Sequence, residues 1–258
     1  MITMIKHSAH LSGRSMRVLG REPVYLVFTL LQPMVWLLLF SQVFERVTDL
    51  PGFGGVSYIA YLTPGVIVMT AIMSSNWAGT GFIEDMKRGV MDRNLTSPVS
   101  RLALVNGTLA YWAVVITVQA LIVIGVGFLM GARYPGGVLG VVVVVVAAVL
   151  LATCFAAFSC AMALQVRSQE SLIGMSMFLV FPLTFLSSVL MAPDLLPDWI
   201  ATVARFNPVN WAAVASREAL LGAQDWGVIG TRLGLLLGLA VLLAMNAAGA
   251  FRGYQRTA

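Results

Sequence analysis

Six stretches of roughly 20 to 30 residues run along this chain almost without a charged side chain, and nothing else in the sequence limits the fold as strongly. They are Val24 to Phe44, Tyr58 to Ile83, Leu102 to Met130, Val138 to Leu164, Leu172 to Ala192 and Val228 to Phe251. A bilayer core about 30 Å thick takes about 20 residues of apolar helix to cross, whereas a soluble core helix is interrupted sooner. In lipid the backbone must satisfy its own hydrogen bonds, and these stretches lack the alternating polarity of a barrel strand. The sequence therefore predicts an all-α integral membrane protein with six transmembrane helices. Composition agrees, because only 10% of the 258 residues are charged where a soluble domain carries about 25%. Pro33, Pro64 and Pro182 lie inside these stretches and predict static bends.

The net charge of +5 would suit either nucleic acid or an anionic membrane surface, and the positions of the charges select the membrane. Lys6, Arg14, Arg17, Arg21, Lys87, Arg88, Arg93, Arg101, Arg167, Arg252 and Arg256 fall on one side if both termini are cytoplasmic. Arg46, Arg133, Arg205, Arg217 and Arg232 fall on the other. Eleven of the sixteen basic residues are then inside, which predicts a multi-pass protein of the cell membrane with both termini in the cytoplasm. No nucleic-acid partner is expected. The first 21 residues hold neither an apolar core nor a small-residue cleavage site, so the first span is expected to target the chain itself. Cys154 and Cys160 sit in one apolar stretch among Ala, Phe and Ser, and read as packing residues rather than metal ligands.

Residues 4–22 form a separate unit. At about 100° per residue Lys6, His10, Arg14, Arg17 and Arg21 share an arc of roughly 80°, with Met4, Ile5, Leu11, Met16, Val18 and Leu19 opposite. That pattern predicts an interfacial helix in the inner headgroup layer, its cations toward anionic lipid.

The segment 84–101, between the second and third spans, is the most charged in the chain: Glu84, Asp85, Lys87, Arg88, Gly89, Arg93, Pro98 and Arg101 lie within it. A short charged helix ended by Ser97-Pro98 would project from the cytoplasmic face. The segment 193–227 is divided by Pro193, Pro197 and Pro208 into pieces too short to span, and Trp199, Trp211 and Trp226 suit an interfacial depth.

Two motifs carry a resemblance. Glu84-Asp85-x-x-x-Gly89, then Leu95-x-x-Pro98-Val99-x-Arg101 and Gly107, resembles the signature region of ABC-2 type permeases. Phe206-Asn-Pro-Val-Asn-Trp211, then Arg217 and Leu220-Leu-Gly222, is similar to the outer segment of the daunorubicin-resistance type within that family. The resemblance implies a compact permease that pairs with a second copy and docks two ATP-hydrolysing subunits. It makes residues 4–22 the interfacial elbow and residues 84–101 the coupling region. It also makes residues 193–227 an outer pair of re-entrant helices carrying Asn207, Pro208 and Arg217.

The only lysines are Lys6 and Lys87, neither in a Gly-x-x-x-x-Gly-Lys-Ser/Thr loop, so this chain is expected to bind no cofactor. ATP and Mg belong to a separate ABC ATPase subunit under this reading. No catalytic or metal-ligating constellation occurs in the spans, which disfavours an intramembrane enzyme.

The function expected is export of a hydrophobic or amphiphilic drug or natural product. The alternatives are export of a lipid or polysaccharide precursor, or a membrane scaffold without transport. Polar but uncharged residues such as Gln32, Asn76, Thr117 and Gln119 within the spans suit an amphiphilic cargo better than a proton pathway. Phe28, Trp36, Phe40, Met69, Met73 and Trp77 could line an apolar cleft or face lipid. Gly230, Gly234 and Gly238 mark a close-packing face of the last span, within one subunit or between two.

The orientation is testable. Single cysteines at Ser97 and Gln224 in a cysteine-free background should differ toward an impermeant maleimide added to intact cells, with Gln224 labelled and Ser97 protected. The opposite labelling would invert the topology.

Overall fold

The computed structural model describes residues 23–43, 57–88, 101–190, 196–222 and 224–254. The interfacial helix expected over 4–22, with Lys6, Arg14, Arg17 and Arg21, lies outside them. So do Gly89, Arg93 and Pro98. Every regular element among the described residues is a helix. In chain order they are α1 (Pro23–Val43), α2 (Tyr58–Ser75), α3 (Ala78–Lys87), α4 (Arg101–Leu129), α5 (Gly137–Val166), α6 (Gln169–Phe185), α7 (Asp198–Ala204), α8 (Pro208–Leu221) and α9 (Trp226–Tyr254).

Each predicted span coincides with helix, but the lengths differ. Tyr58–Lys87, Val105–Leu129, Gly137–Val166 and Trp226–Ala250 are long and apolar enough to cross a membrane, while the apolar stretches Thr29–Val43 and Gln169–Phe185 are shorter. The long helices are apolar all round, as expected where the outer surface faces hydrocarbon. Phe178 is 82% exposed on α6 and Met245 64% on α9, and Leu31, Leu39 and Leu242 also point outward. A water-facing surface would not carry so continuous an apolar patch.

The core is built on α5, which packs against α2, α3, α4, α8 and α9. Small residues make that possible. Ala147, Ala148, Ala152, Ala156 and Ala157 are fully buried along it, so neighbouring backbones approach closely. α2 is enclosed in turn, with all of its residues buried except Met73. Cys154 and Cys160 are buried, unbridged members of this packing.

Two spans stop being continuous helix where the sequence predicted none of it. The run from Tyr58 to Ile83 breaks at Asn76–Trp77, not at Pro64, which stays inside α2. Ser159 of α5 explains the break. Its hydroxyl donates to the Asn76 carbonyl at 2.6 Å and accepts from the Gly79 amide at 3.1 Å, taking over two backbone groups that the helix gives up. Gly79 is required there, because a Cβ would lie 2.4 Å from the Ser159 carbonyl oxygen. The fifth span, predicted to reach Ala192, ends as helix at Phe185. Pro33 and Pro182 likewise remain inside their helices.

The glycine face of α9 is also settled among the described residues. A Cβ added at Gly230, Gly234 or Gly238 would meet nothing among the described residues, so these glycines do not serve close packing against the described helices.

Candidate functional site

At 1.5 Å per residue the 17 residues of α6 reach about 25 Å, short of a full hydrocarbon crossing. Its C-terminal carbonyls must therefore find donors other than water or a further turn. Pro182 receives the Leu186 amide at 2.8 Å, and the Thr184 carbonyl accepts from the Ser187 hydroxyl at 2.6 Å. The remaining donors come from α8.

Asn207 is the N-cap of α8. Its extended backbone lets Oδ1 accept from the Val209 amide at 2.9 Å, with Pro208 at the first helical position where no amide is needed. The same side chain donates through Nδ2 to the carbonyls of Leu183, at 2.6 Å, and Leu186, at 2.8 Å. One residue thus opens α8 and closes α6. Asn210 continues the pattern, its Oδ1 accepting from the Ser188 amide at 3.0 Å and the Ser188 hydroxyl at 2.6 Å.

Arg217 lies two turns beyond Asn210, on the same face. Its Nη1 donates to the Ser188 carbonyl and to the Ser188 hydroxyl, and its Nη2 to the Val189 carbonyl. Nε donates to the Tyr61 carbonyl of α2 at 3.4 Å, and the guanidinium stands over the Tyr61 ring, 4.0 Å from its centroid. The side chain is only 8% exposed. Its charge is turned inward onto carbonyl dipoles and an aromatic face rather than toward solvent. A planar five-donor fork suits several fixed acceptors better than an ammonium would.

Glycines let the elements come this close. A Cβ on Gly65 of α2 would lie 2.3 Å from the Val189 carbonyl oxygen. Gly136 and Gly140, at the head of α5, meet Ala219 and Leu220 of α8 in the same way, and the Gly136 amide donates to the Leu220 carbonyl at 3.0 Å. Gly222, at φ +102°, ends α8 in a conformation that an L side chain rarely adopts.

The charged segment lies apart from this clamp. Glu84, Asp85 and Lys87 occupy the last turns of α3, continuous with its buried Ala78, Phe82 and Ile83. The expected short helix ended by Ser97-Pro98 is thus preceded by helix already at Glu84. Glu84 pairs with Arg88 at 2.5 Å, one turn on, and both side chains are well exposed. Such a pair contributes about 0.3–0.5 kcal/mol, so it does not hold the fold. Glu170, at the head of α6, adds a further carboxylate within reach of the Lys87 charge. Its own backbone N–H and the Ser168 hydroxyl, at 2.9 Å, hold that carboxyl below the usual carboxylate range, and the Lys87 charge acts the same way. Arg101 begins α4, although its side chain is outside the described residues.

Asn207, Pro208 and Arg217 are therefore brought together, while the acidic and basic residues of 84–88 form a distinct surface. Asn210, Ser188, Tyr61 and Glu170 were not singled out from the sequence. Asn210 was visible within the Phe206–Trp211 run, but Ser188 carries no sequence signal at all.

A family model described as ABC-2 type transporter matches residues 9–221. The chain is 29% identical over 237 residues to the daunorubicin resistance ABC transporter permease protein DrrB1 of Streptomyces coeruleorubidus, covering 90% of this chain and 81% of that one. It is 24% identical over 225 residues to the inner membrane transport permease YadH of Escherichia coli strain K12, covering 82% of each.

The clamp has a measurable energetic signature. Arg217→Leu leaves the Ser188 and Val189 carbonyls without donors and should destabilise the protein by about 3 kcal/mol. Arg217→Lys, which keeps the charge but not the fork, should lose roughly half as much. Thermal unfolding in detergent should rank wild type above Lys above Leu.

Proposed function

The chain belongs to the ABC-2 type transporter family, and from that premise we propose that it is the membrane-spanning permease of an ATP-driven exporter whose ATPase is a separate subunit. It carries a hydrophobic or amphiphilic drug or natural product outward and works with a second copy of itself. Both termini and residues 84–101 face the cytoplasm, and six helical segments cross the bilayer. α7 and α8 enter and leave from the outer side, since seven and fourteen residues reach only about 10 and 20 Å. The observation that carries this reading is the likeness, over 90% of this chain, to a permease named for daunorubicin resistance.

A permease without its own nucleotide site is driven through contact with its ATPase, and the end of α3 is suited to receive that contact. Glu84, Lys87 and Arg88 are exposed, yet Phe82 and Ile83 just before them pack with Trp112 of α4 and with Ala157 and Leu164 of α5. A push on the charged end is thereby delivered to the centre of the bundle through side chains that have no room to yield. Glu170 enlarges the same face. ATP and Mg are held by the partner.

Replacing Glu84 and Asp85 together with Ala should reduce ATP-dependent export about tenfold or more, with membrane insertion intact, because the pair's own stabilising effect is small. Co-purification with the ATPase subunit then separates lost docking from lost transmission. If the double variant inserts, keeps its ATPase and exports at the wild-type rate, the two carboxylates are ordinary solvated residues.

A further inference from the structure

Gln32 and Ser74 line a cleft between α1 and α2, beside Trp36 and Trp77. A recess of about 110 Å³ between α6 and α9 is of another kind, because the one heteroatom among its lining side chains is the Cys154 sulfur. That thiol already donates to the Leu236 carbonyl at 3.7 Å. Phe155 and Phe158 of α5 form the floor, Leu179 and Leu183 of α6 one wall, and Leu239 and Leu243 of α9 the other. The leucines on each wall are four residues apart, so the recess runs about 6 Å along the helix axes. Phe178 and Leu242, each one residue before a lining leucine, point outward, so the mouth opens onto hydrocarbon. A water molecule would find no partner in such a recess, whereas carbon would gain dispersion contacts on three sides.

The Leu183 end of the recess meets Pro208 of α8, since Asn207 is bonded to the Leu183 carbonyl. α7 and the turn after it come just before Pro208, and they are two-faced. Trp199, Val203 and Phe206, spaced by four and three residues, are 62%, 42% and 78% exposed. Asp198, Thr202 and Arg205 repeat that spacing one residue earlier and are exposed as well. An apolar stripe with a tryptophan beside a polar stripe is the pattern of a helix lying at headgroup depth. Arg205 stands three residues before Pro208, and its backbone is fixed by the Trp211 indole, which donates to the Arg205 carbonyl at 2.6 Å. Among the described residues Arg205 makes no ion pair, and Asp198 lies the length of α7 away, about 10 Å.

We propose that the recess holds one acyl chain of an anionic phospholipid whose phosphate rests on Arg205, and that this lipid seals the seam between α6 and α9. An extended chain matches a slot that runs with the helices and offers it only carbon to touch. A cation at headgroup depth beside such a slot meets both halves of a phospholipid. A helix of a second copy, about 10 Å across, can cover the mouth but is too wide to enter. That the lipid belongs to the outer leaflet rests on the orientation proposed above; the site itself does not.

The test uses the full chain in detergent with palmitoyl-oleoyl phosphatidylglycerol or phosphatidylcholine added, and retained lipid is counted by native mass spectrometry. One phosphatidylglycerol per chain should be held about fivefold more tightly than phosphatidylcholine, the effect expected of one basic residue at a headgroup. Arg205→Gln should remove that preference, and Leu179→Trp, which fills the slot, should abolish retention of both lipids. A phosphatidylglycerol with a diazirine in one chain should crosslink to peptides of α6 and α9 rather than to the equally lipid-facing α1, and this readout decides the matter if Leu179→Trp does not fold. Equal retention of the two lipids by the wild type overturns the proposal, as does retention unchanged in both variants or crosslinking spread evenly onto α1. A wild type that holds no lipid, with Leu179→Trp turning dimer into monomer, also overturns it and assigns this face to a second copy. No ATP or ATPase is present, so a chain that exports nothing still gives the predicted ranking.

Discussion

A helix that ends inside a membrane protein leaves carbonyl oxygens with nothing to accept from, and the arrangement at the end of α6 is governed by that debt. As helix, α6 alone is short of a full crossing, and Ser187 to Val189 beyond it are buried. Asn207, Asn210 and Arg217 reach from α8 to Leu183, Leu186, Ser188 and Val189. Because Arg217 also contacts Tyr61, the same set of bonds holds α2. Gly65, Gly136 and Gly140 then bring α2 and α5 within backbone contact of the clamp. α8 is thereby locked into the core although it is short.

The opposite requirement operates at the end of α3. There the helix leaves the packed bundle and exposes Glu84, Lys87 and Arg88, the first and last of them joined in a weak surface pair. The break at Asn76–Trp77 lies between the enclosed α2 and this charged end, and Ser159 fastens it to α5. The cleft between α1 and α2 opens beside the same break, where Trp77 borders both.

The apolar runs were legible because lipid tolerates no alternative to helix, and the buried Cys154 and Cys160 followed from the same reading. Asn207, Pro208 and Arg217 were legible as a motif but not as a clamp. Their targets lie 21 to 29 residues earlier in the chain, and nothing in Leu183, Ser188 or Val189 announces a carbonyl in need of a donor. For that reason the inward turn of Arg217 was not foreseen, and the fifth span was carried on to Ala192. The break at Asn76–Trp77 was hidden for a related reason. Pro64, the residue that predicts a bend, is absorbed by α2, while the actual cause is a serine 83 residues away. Local composition records what a segment is dissolved in, whereas these departures depend on which distant side chain arrives.

If Asn207 and Arg217 act on one structure, the non-helical end of α6, their contributions cannot be independent. A double-mutant cycle of Asn207→Ala and Arg217→Met, read by unfolding of the purified protein in detergent, measures this directly. The clamp predicts a coupling of about 1 kcal/mol or more, with the double variant losing less than the sum of the single losses, because either change alone releases the segment that both hold. Strict additivity would contradict it, and would reduce the two residues to separate contacts that happen to lie on the same helix.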